Sequence, residues 1–257
     1  MKLLIKNGHI VDPTQNMNMI GDILIDKGKI SKVEPKIDSN LVKEDEIIDA
    51  TDLYVVPGLI DMHVHFREPG YENKESIETG GKSAVAGGFT SVVCMPNTNP
   101  VIDNISTVKY VKDKGKKSVC NVYMMGSITR KLEGDELSDY VKMKAEGILG
   151  ITDDGKSVMN SSLMYEAMKC AKDLDLLVSS HCEDVNLMYD RSINRGTVSK
   201  MLNLEGIPSL AEEIVINRDI LISEKTGAKV HIQHISTEFG VDLVRKAKER
   251  GLNVTCE

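Results

Sequence analysis

Residues 55–65 read VVPGLIDMHVH, an apolar run closed by two histidines on alternate positions. Side chains alternate along a strand, so His63 and His65 share one face, and two imidazoles on one face make half of a metal site. Six further strand-like runs follow: 88–96 (GFTSVVCMP), 118–126 (SVCNVYMMG), 147–154 (GILGITDD), 176–183 (LLVSSHCE), 228–236 (AKVHIQHIS) and 252–257 (LNVTCE). Longer helix-like stretches separate them, among them 73–87, 161–174, 210–227 and 237–251. Strands alternating with helices build parallel sheets, and their best-known closed form is the eight-stranded β/α barrel. The seventh run begins near Leu252 and residue 257 is the last, so the expectation is a barrel incomplete after its seventh strand.

Upstream of Pro57 the rhythm differs. The segments 3–11, 21–34 and 46–56 read as short β strands broken at Asn7-Gly8 and Lys27-Gly28. The expected organisation is therefore α/β, with a β unit over residues 1–56 and a (β/α) barrel over 57–257.

Composition excludes several classes. Of 257 residues, 41% are hydrophobic and 28% charged, which suits a folded chain with ample core. No apolar run approaches the roughly 18–20 residues needed to cross a bilayer, and no signal-peptide core precedes Asn7-Gly8, so a cytoplasmic location and no membrane partner are expected. A net charge of −7, three Phe and no Trp disfavour nucleic acid. Five cysteines without a Cys-x-x-Cys pair suit reduced, buried thiols.

In β/α barrels the site is built at the C-terminal ends of the strands. Runs four, five and six end in Asp153-Asp154, His181 and His234, and together with His63 and His65 these are costly to bury without a purpose. His231 and His234 are three apart, so strand parity allows only one of them inside; His234 is nearer the strand end, and His231 is expected to pack outward against helices. Position alone leaves Asp153 and Asp154 undecided. Four imidazoles and a carboxylate suit two ions sharing a bridging carboxylate, with a hydroxide held between them. That chemistry is hydrolysis of an amide-like bond or its reversal. Arg67 offers a planar fork for a substrate carboxylate, with an ion pair to Glu68 or Glu72 as its plainer use. Asn97 is a second candidate contact, with ordinary turn chemistry as its plainer use.

The motifs PGLIDMHVHFREPG, GGFTSVVCMPNTNP, TDDG, HCED and HIQHIST, in this order, resemble those of the long, type I dihydroorotases. The resemblance covers the whole chain. It implies the metal-dependent TIM-like barrel of the amidohydrolase superfamily, with residues 1–56 forming half of a composite β-sandwich. It implies interconversion of N-carbamoyl-L-aspartate and L-dihydroorotate in pyrimidine biosynthesis. Carried over, it makes His63 and His65 ligands of one Zn2+, His181 and His234 ligands of a second, Asp154 the bridging carboxylate, and Arg67 and Asn97 contacts to the substrate carboxylate. The family's acid/base aspartate belongs to a motif expected beyond Glu257, so no catalytic residue is assigned within the chain. A homodimer and aspartate carbamoyltransferase are the protein partners the resemblance brings into view. Two rival readings are a dihydropyrimidinase- or allantoinase-like cyclic amidase and an inactive scaffold for the transcarbamoylase. The rival amidases usually bridge their metals with a carboxylated lysine, and Lys156, beyond the turn at Gly155, is poorly placed for that.

Overall fold

The computed structural model describes residues 2–188 and 192–257. The chain divides into two compact units, Met1–Leu59 and Ile60–Glu257.

The first unit is a five-stranded sheet. Strands β1 (Lys2–Asp12), β2 (Met17–Asp26) and β3 (Lys29–Glu34) form an antiparallel meander, and the short β4 (Ile47–Asp49) and β5 (Tyr54–Val55) both run parallel to β1. The β2–β3 hairpin turns on Lys27 and Gly28, at φ 51° and 75°; a two-residue turn with positive φ at both positions matches the right-handed twist of its strands. Asn7-Gly8, read as a break, instead lies inside β1 as a register irregularity against β2. Buried Asp22 stabilises it: Oδ1 accepts from the Asn7 amide and Oδ2 from the Ile37 amide, both at 2.8 Å, with Lys6 Nζ 3.3 Å away. A Cβ at Gly8 would lie 2.5 Å from Val55 Cγ2, so the close approach of β5 requires glycine there. Leu4, Leu24 and Ile37 form the core of this unit.

In the second unit all seven sequence runs become strands: β6 (Leu59–Val64), β7 (Phe89–Cys94), β8 (Asn121–Gly126), β9 (Gly150–Ile151), β10 (Leu177–Ser180), β11 (Lys229–Ile232) and β12 (Val254–Cys256). They form one sheet in sequence order, with β7 to β12 paired in parallel. Parallel neighbours need a crossover connection, supplied by α1 (Ile77–Ala86), α2 (Ile105–Gly115), α3 (Tyr140–Glu146), α4 (Ser161–Asp173), the short α5 (Thr197–Met201) with α6 (Leu210–Thr226), and α7 (Glu238–Glu249). Ser76, Asn104, Asn160 and Thr237 cap α1, α2, α4 and α7 with side-chain oxygens that accept first-turn amides.

The pleat sorts the core. Val92, Val178, Val230 and Ile232 face outward and pack with helical Val108, Met164, Met168, Ile216 and Val244, whereas Val93, Met95 and Met125 make a separate small cluster. All five cysteines are free, and Cys94, Cys120 and Cys182 are buried. No helix among the described residues is long and apolar enough to cross a membrane.

Candidate metal centre

The strand ends deliver one cluster. β6 carries His63 and is followed by His65, β7 leads to Asn97, β9 to Asp154, β10 directly to His181, and β11 to His234 two residues past its end. The buried Asp154 carboxylate is the hub. Its Oδ1 lies 3.3 Å from His63 Nε2, 3.7 Å from His181 Nδ1 and 3.8 Å from His234 Nε2, and its Oδ2 lies 3.5 Å from His65 Nε2. Burial alone would raise the Asp154 carboxyl, but contacts with His181, His234 and His63 outweigh it and hold the group well below the usual carboxylate range.

This arrangement fits a cation. Donor atoms of His63, Asp154 and His234 all lie within 4.8 Å of one another. His181 Nδ1 and His234 Nε2 are 3.0 Å apart, so at least one must carry a proton unless a cation takes both lone pairs. An ionised carboxylate among imidazoles is a nitrogen and oxygen donor set of the kind zinc takes.

Asp153 is turned elsewhere. Its Oδ1 accepts the amides of Ile128 and Thr129 at 2.8 and 3.0 Å, and its Oδ2 accepts the Thr129 hydroxyl. Burial pushes its carboxyl up to about 6 against those bonds. The adjacent aspartates thus divide the work: Asp153 ties the exit of β8 to β9, and Asp154 faces the histidines.

Asn97 is wired into the cluster. Its Nδ2 donates to Asp154 Oδ2 at 2.8 Å, and its Oδ1 lies 3.0 Å from His65 Nδ1 and 3.4 Å from Arg67 Nη1. Arg67 sits in the left-handed region at φ 58° and makes no ion pair among the described residues. Glu68 instead accepts from the Ile77 amide and the Tyr110 hydroxyl and pairs with Lys114 at 3.0 Å, while Glu72 accepts the Gly70 amide. Lys156 is exposed.

His231 corrects the parity argument. It pairs in register with Ser179 and Thr255, between outward-facing Val230 and Ile232, so it points into the sheet's inner face rather than against helices. Strand parity extends to His234 only if the strand is regular that far, but β11 ends at Ile232 and His234 has φ 34°. Both histidines therefore reach the inner side.

The supporting residues were not singled out in the sequence. Glu257 Oε1 lies 2.8 Å from His63 Nδ1, and Glu183 Oε2 lies 3.3 Å from His181 Nε2. Ser157 Oγ donates to the His181 carbonyl at 2.6 Å and accepts the Glu183 amide at 2.8 Å. Glu212 accepts the amides of Ser236 and Thr237 just past His234. Glu257 closes the seventh run, so the strand-end rule that found His181 also reaches it.

A parallel βα sheet that feeds histidine, aspartate and asparagine side chains into one cluster at its strand C-termini has the architecture of the amidohydrolase barrels. The fold is matched by the L-hydantoinase (dihydropyrimidinase) of Arthrobacter aurescens, with a TM-score of 0.82 at 21% identity over 99% of this chain and 57% of that one. A D-hydantoinase (dihydropyrimidinase) from Thermus sp. gives 0.75 at 27% identity, again over 99% and 57%. The sequence is more specific. A family model described as dihydro-orotase-like matches residues 53–239. The chain is 50% identical to a dihydroorotase of Ruminiclostridium cellulolyticum and 47% identical to one of Aquifex aeolicus, in both cases over 100% of its own length and 60% of the relative's. The chain belongs to the dihydroorotase-like family, and it spans about 60% of the length of these curated relatives.

Proposed function

We propose that these residues form the metal-binding part of a zinc-dependent dihydroorotase, a cyclic amidohydrolase interconverting N-carbamoyl-L-aspartate and L-dihydroorotate. The observation that carries the reading is the Asp154 carboxylate ringed by four imidazoles within 3.8 Å. In it His63 and His65 would hold one Zn2+ and His181 and His234 a second, with the Asp154 carboxylate available to both. Such a metal pair would supply water activation and carbonyl polarisation, the chemistry that amide hydrolysis or its reversal needs.

The protein's own groups do the rest. Asp154 stays ionised and keeps the four imidazoles facing one point. Asn97 orients both Asp154 and His65 through its two amide ends. Arg67, free of any acidic partner among the described residues, presents its guanidinium beside Asn97, where a substrate carboxylate meets a planar pair of donors. A cleft of about 1050 Å³ opens beside His181 and His234, and Arg195 and Arg245 also line it. Asp154 supplies the bridging carboxylate directly, and exposed Lys156 is not needed for it.

The test is calorimetric binding of L-dihydroorotate, dihydrouracil and hydantoin to the zinc-loaded protein and its Arg67→Gln variant. A preference for the acid that Arg67→Gln abolishes supports the reading. Equal binding of the neutral rings favours the hydantoinase-like alternative, and folded protein that takes up no zinc favours a scaffold role beside aspartate carbamoyltransferase.

A further inference from the structure

Four residues form a line from β12 and β11 across to β6. Thr255 Oγ1 lies 2.8 Å from His231 Nδ1, His231 Nε2 lies 3.6 Å from Glu257 Oε2, and Glu257 Oε1 lies 2.8 Å from His63 Nδ1. His63 Nε2 in turn faces Asp154 at 3.3 Å. His231 is only 4% exposed, and its Nε2 has no hydrogen-bond partner, so the nearest group to which this buried nitrogen can answer is the Glu257 carboxylate.

A carboxylate only accepts, so a 2.8 Å contact with His63 Nδ1 calls for the imidazole proton on that nitrogen. Nε2 stands farther from its own carboxylate, 3.3 Å from Asp154, and is then the nitrogen left to offer a lone pair to a cation there. The outer contacts of the other histidines follow the same logic: His65 Nδ1 meets the Asn97 carbonyl oxygen, and His181 Nε2 meets Glu183. A second acceptor on the far nitrogen fixes ring orientation and raises the basicity of the ligating one.

We infer that Glu257 is a positioning residue for this centre: set beside His231, which Thr255 holds through Nδ1, its carboxylate fixes His63 with the proton on Nδ1 and Nε2 turned toward Asp154. The inference rests on the proposed metal centre and gives His231, which is not among the proposed ligands, the task of holding the residue that orients one. It also predicts that the end of β12 governs a ligand on β6, at the opposite end of the sheet order.

Two measurements decide it. In the first, zinc affinity is measured by competition with a chelating dye for wild type, Glu257→Ala and Glu257→Gln, with circular dichroism as the folding check. Glu257→Ala is expected to bind about 10–100-fold more weakly, the usual cost of losing such an outer partner. Glu257→Gln keeps an acceptor oxygen and is expected to recover most of that loss. Both variants within twofold of wild type would overturn the inference. In the second, 15N NMR of metal-free wild-type protein at pH 9 assigns the His63 proton. Nδ1 is expected, and a proton on Nε2 overturns the inference even if Glu257→Ala fails to fold. Wild type that binds no zinc would refute the metal centre instead, and the tautomer measurement would still decide the role of Glu257.

Discussion

Asn97 bridges Asp154 and His65, donating from Nδ2 to Asp154 Oδ2 at 2.8 Å while its Oδ1 stands 3.0 Å from His65 Nδ1. One side chain at the end of β7 thereby sets the orientation of groups delivered by β9 and β6. Replacing it with Ala removes both contacts without adding charge. Asn97→Ala is expected to weaken zinc binding by about tenfold or more, with dihydroorotate binding weakened because Arg67 loses its neighbour. Chelator competition and calorimetry with dihydroorotate check this, and unchanged zinc affinity would show that Asn97 serves the turn alone.

The neighbouring aspartates are expected to fail in opposite ways. Asp153→Ala strips partners from two buried amides and a hydroxyl, at a cost of about 3 kcal/mol or more in urea unfolding. Asp154→Ala is expected to leave the folded protein in place and abolish paired zinc uptake. Two variants with the same phenotype would mean that the division of labour is wrong.

The acid response of the first unit follows from Asp22. Burial opposes its ionisation, but the amides of Ile37 and Asn7 and the Lys6 ammonium outweigh burial, so its folded pKa lies below its ordinary 3.8. A depressed carboxyl contributes stability that is complete above the unfolded value and is lost as pH falls through the folded one. Wild type is therefore expected to lose urea stability between pH 5 and pH 3, and Asp22→Asn to start lower and respond more flatly. Parallel slopes for the two proteins would remove Asp22 from the account.

On α4, Met168 is fully buried among residues of the outer core. Met168→Ala is expected to cost about 2–5 kcal/mol, with zinc affinity of the remaining folded protein within a few-fold of wild type. A large loss of affinity at unchanged stability would contradict the separation of outer core from site.

The strands and most residues of the candidate cluster are legible in the sequence because both depend on local signals. Apolar runs between helical stretches mark β6 to β12, and polar residues closing those runs mark His63, His65, the Asp153-Asp154 pair, His181 and His234. What escaped depends on where the backbone leaves regularity or on partners far apart in the chain. His231 points inward between outward-facing Val230 and Ile232, and His234 joins it because β11 ends at Ile232, a fact no parity count contains. Asn7-Gly8 continues a strand because Asp22, 15 residues away, satisfies its amide. Ser180 beneath His181 donates to fully buried Asp219 on α6, which Arg218 pairs at 2.8 Å while also donating to the Val158 carbonyl. Such a tie between α6, the end of β10 and the loop before α4 is set by packing and leaves no spacing to read. Asp153 and Asp154 were separable only through family resemblance until the Thr129 and histidine contacts distinguished them.

The central claim is that Asp154 and four histidines form a zinc centre. The direct measurement is zinc content per folded chain after reconstitution and gel filtration, for wild type and Asp154→Ala side by side. The account predicts two zinc ions per wild-type chain and their loss in the variant. Folded wild type that retains no zinc, or a variant that retains as much as wild type, would contradict it.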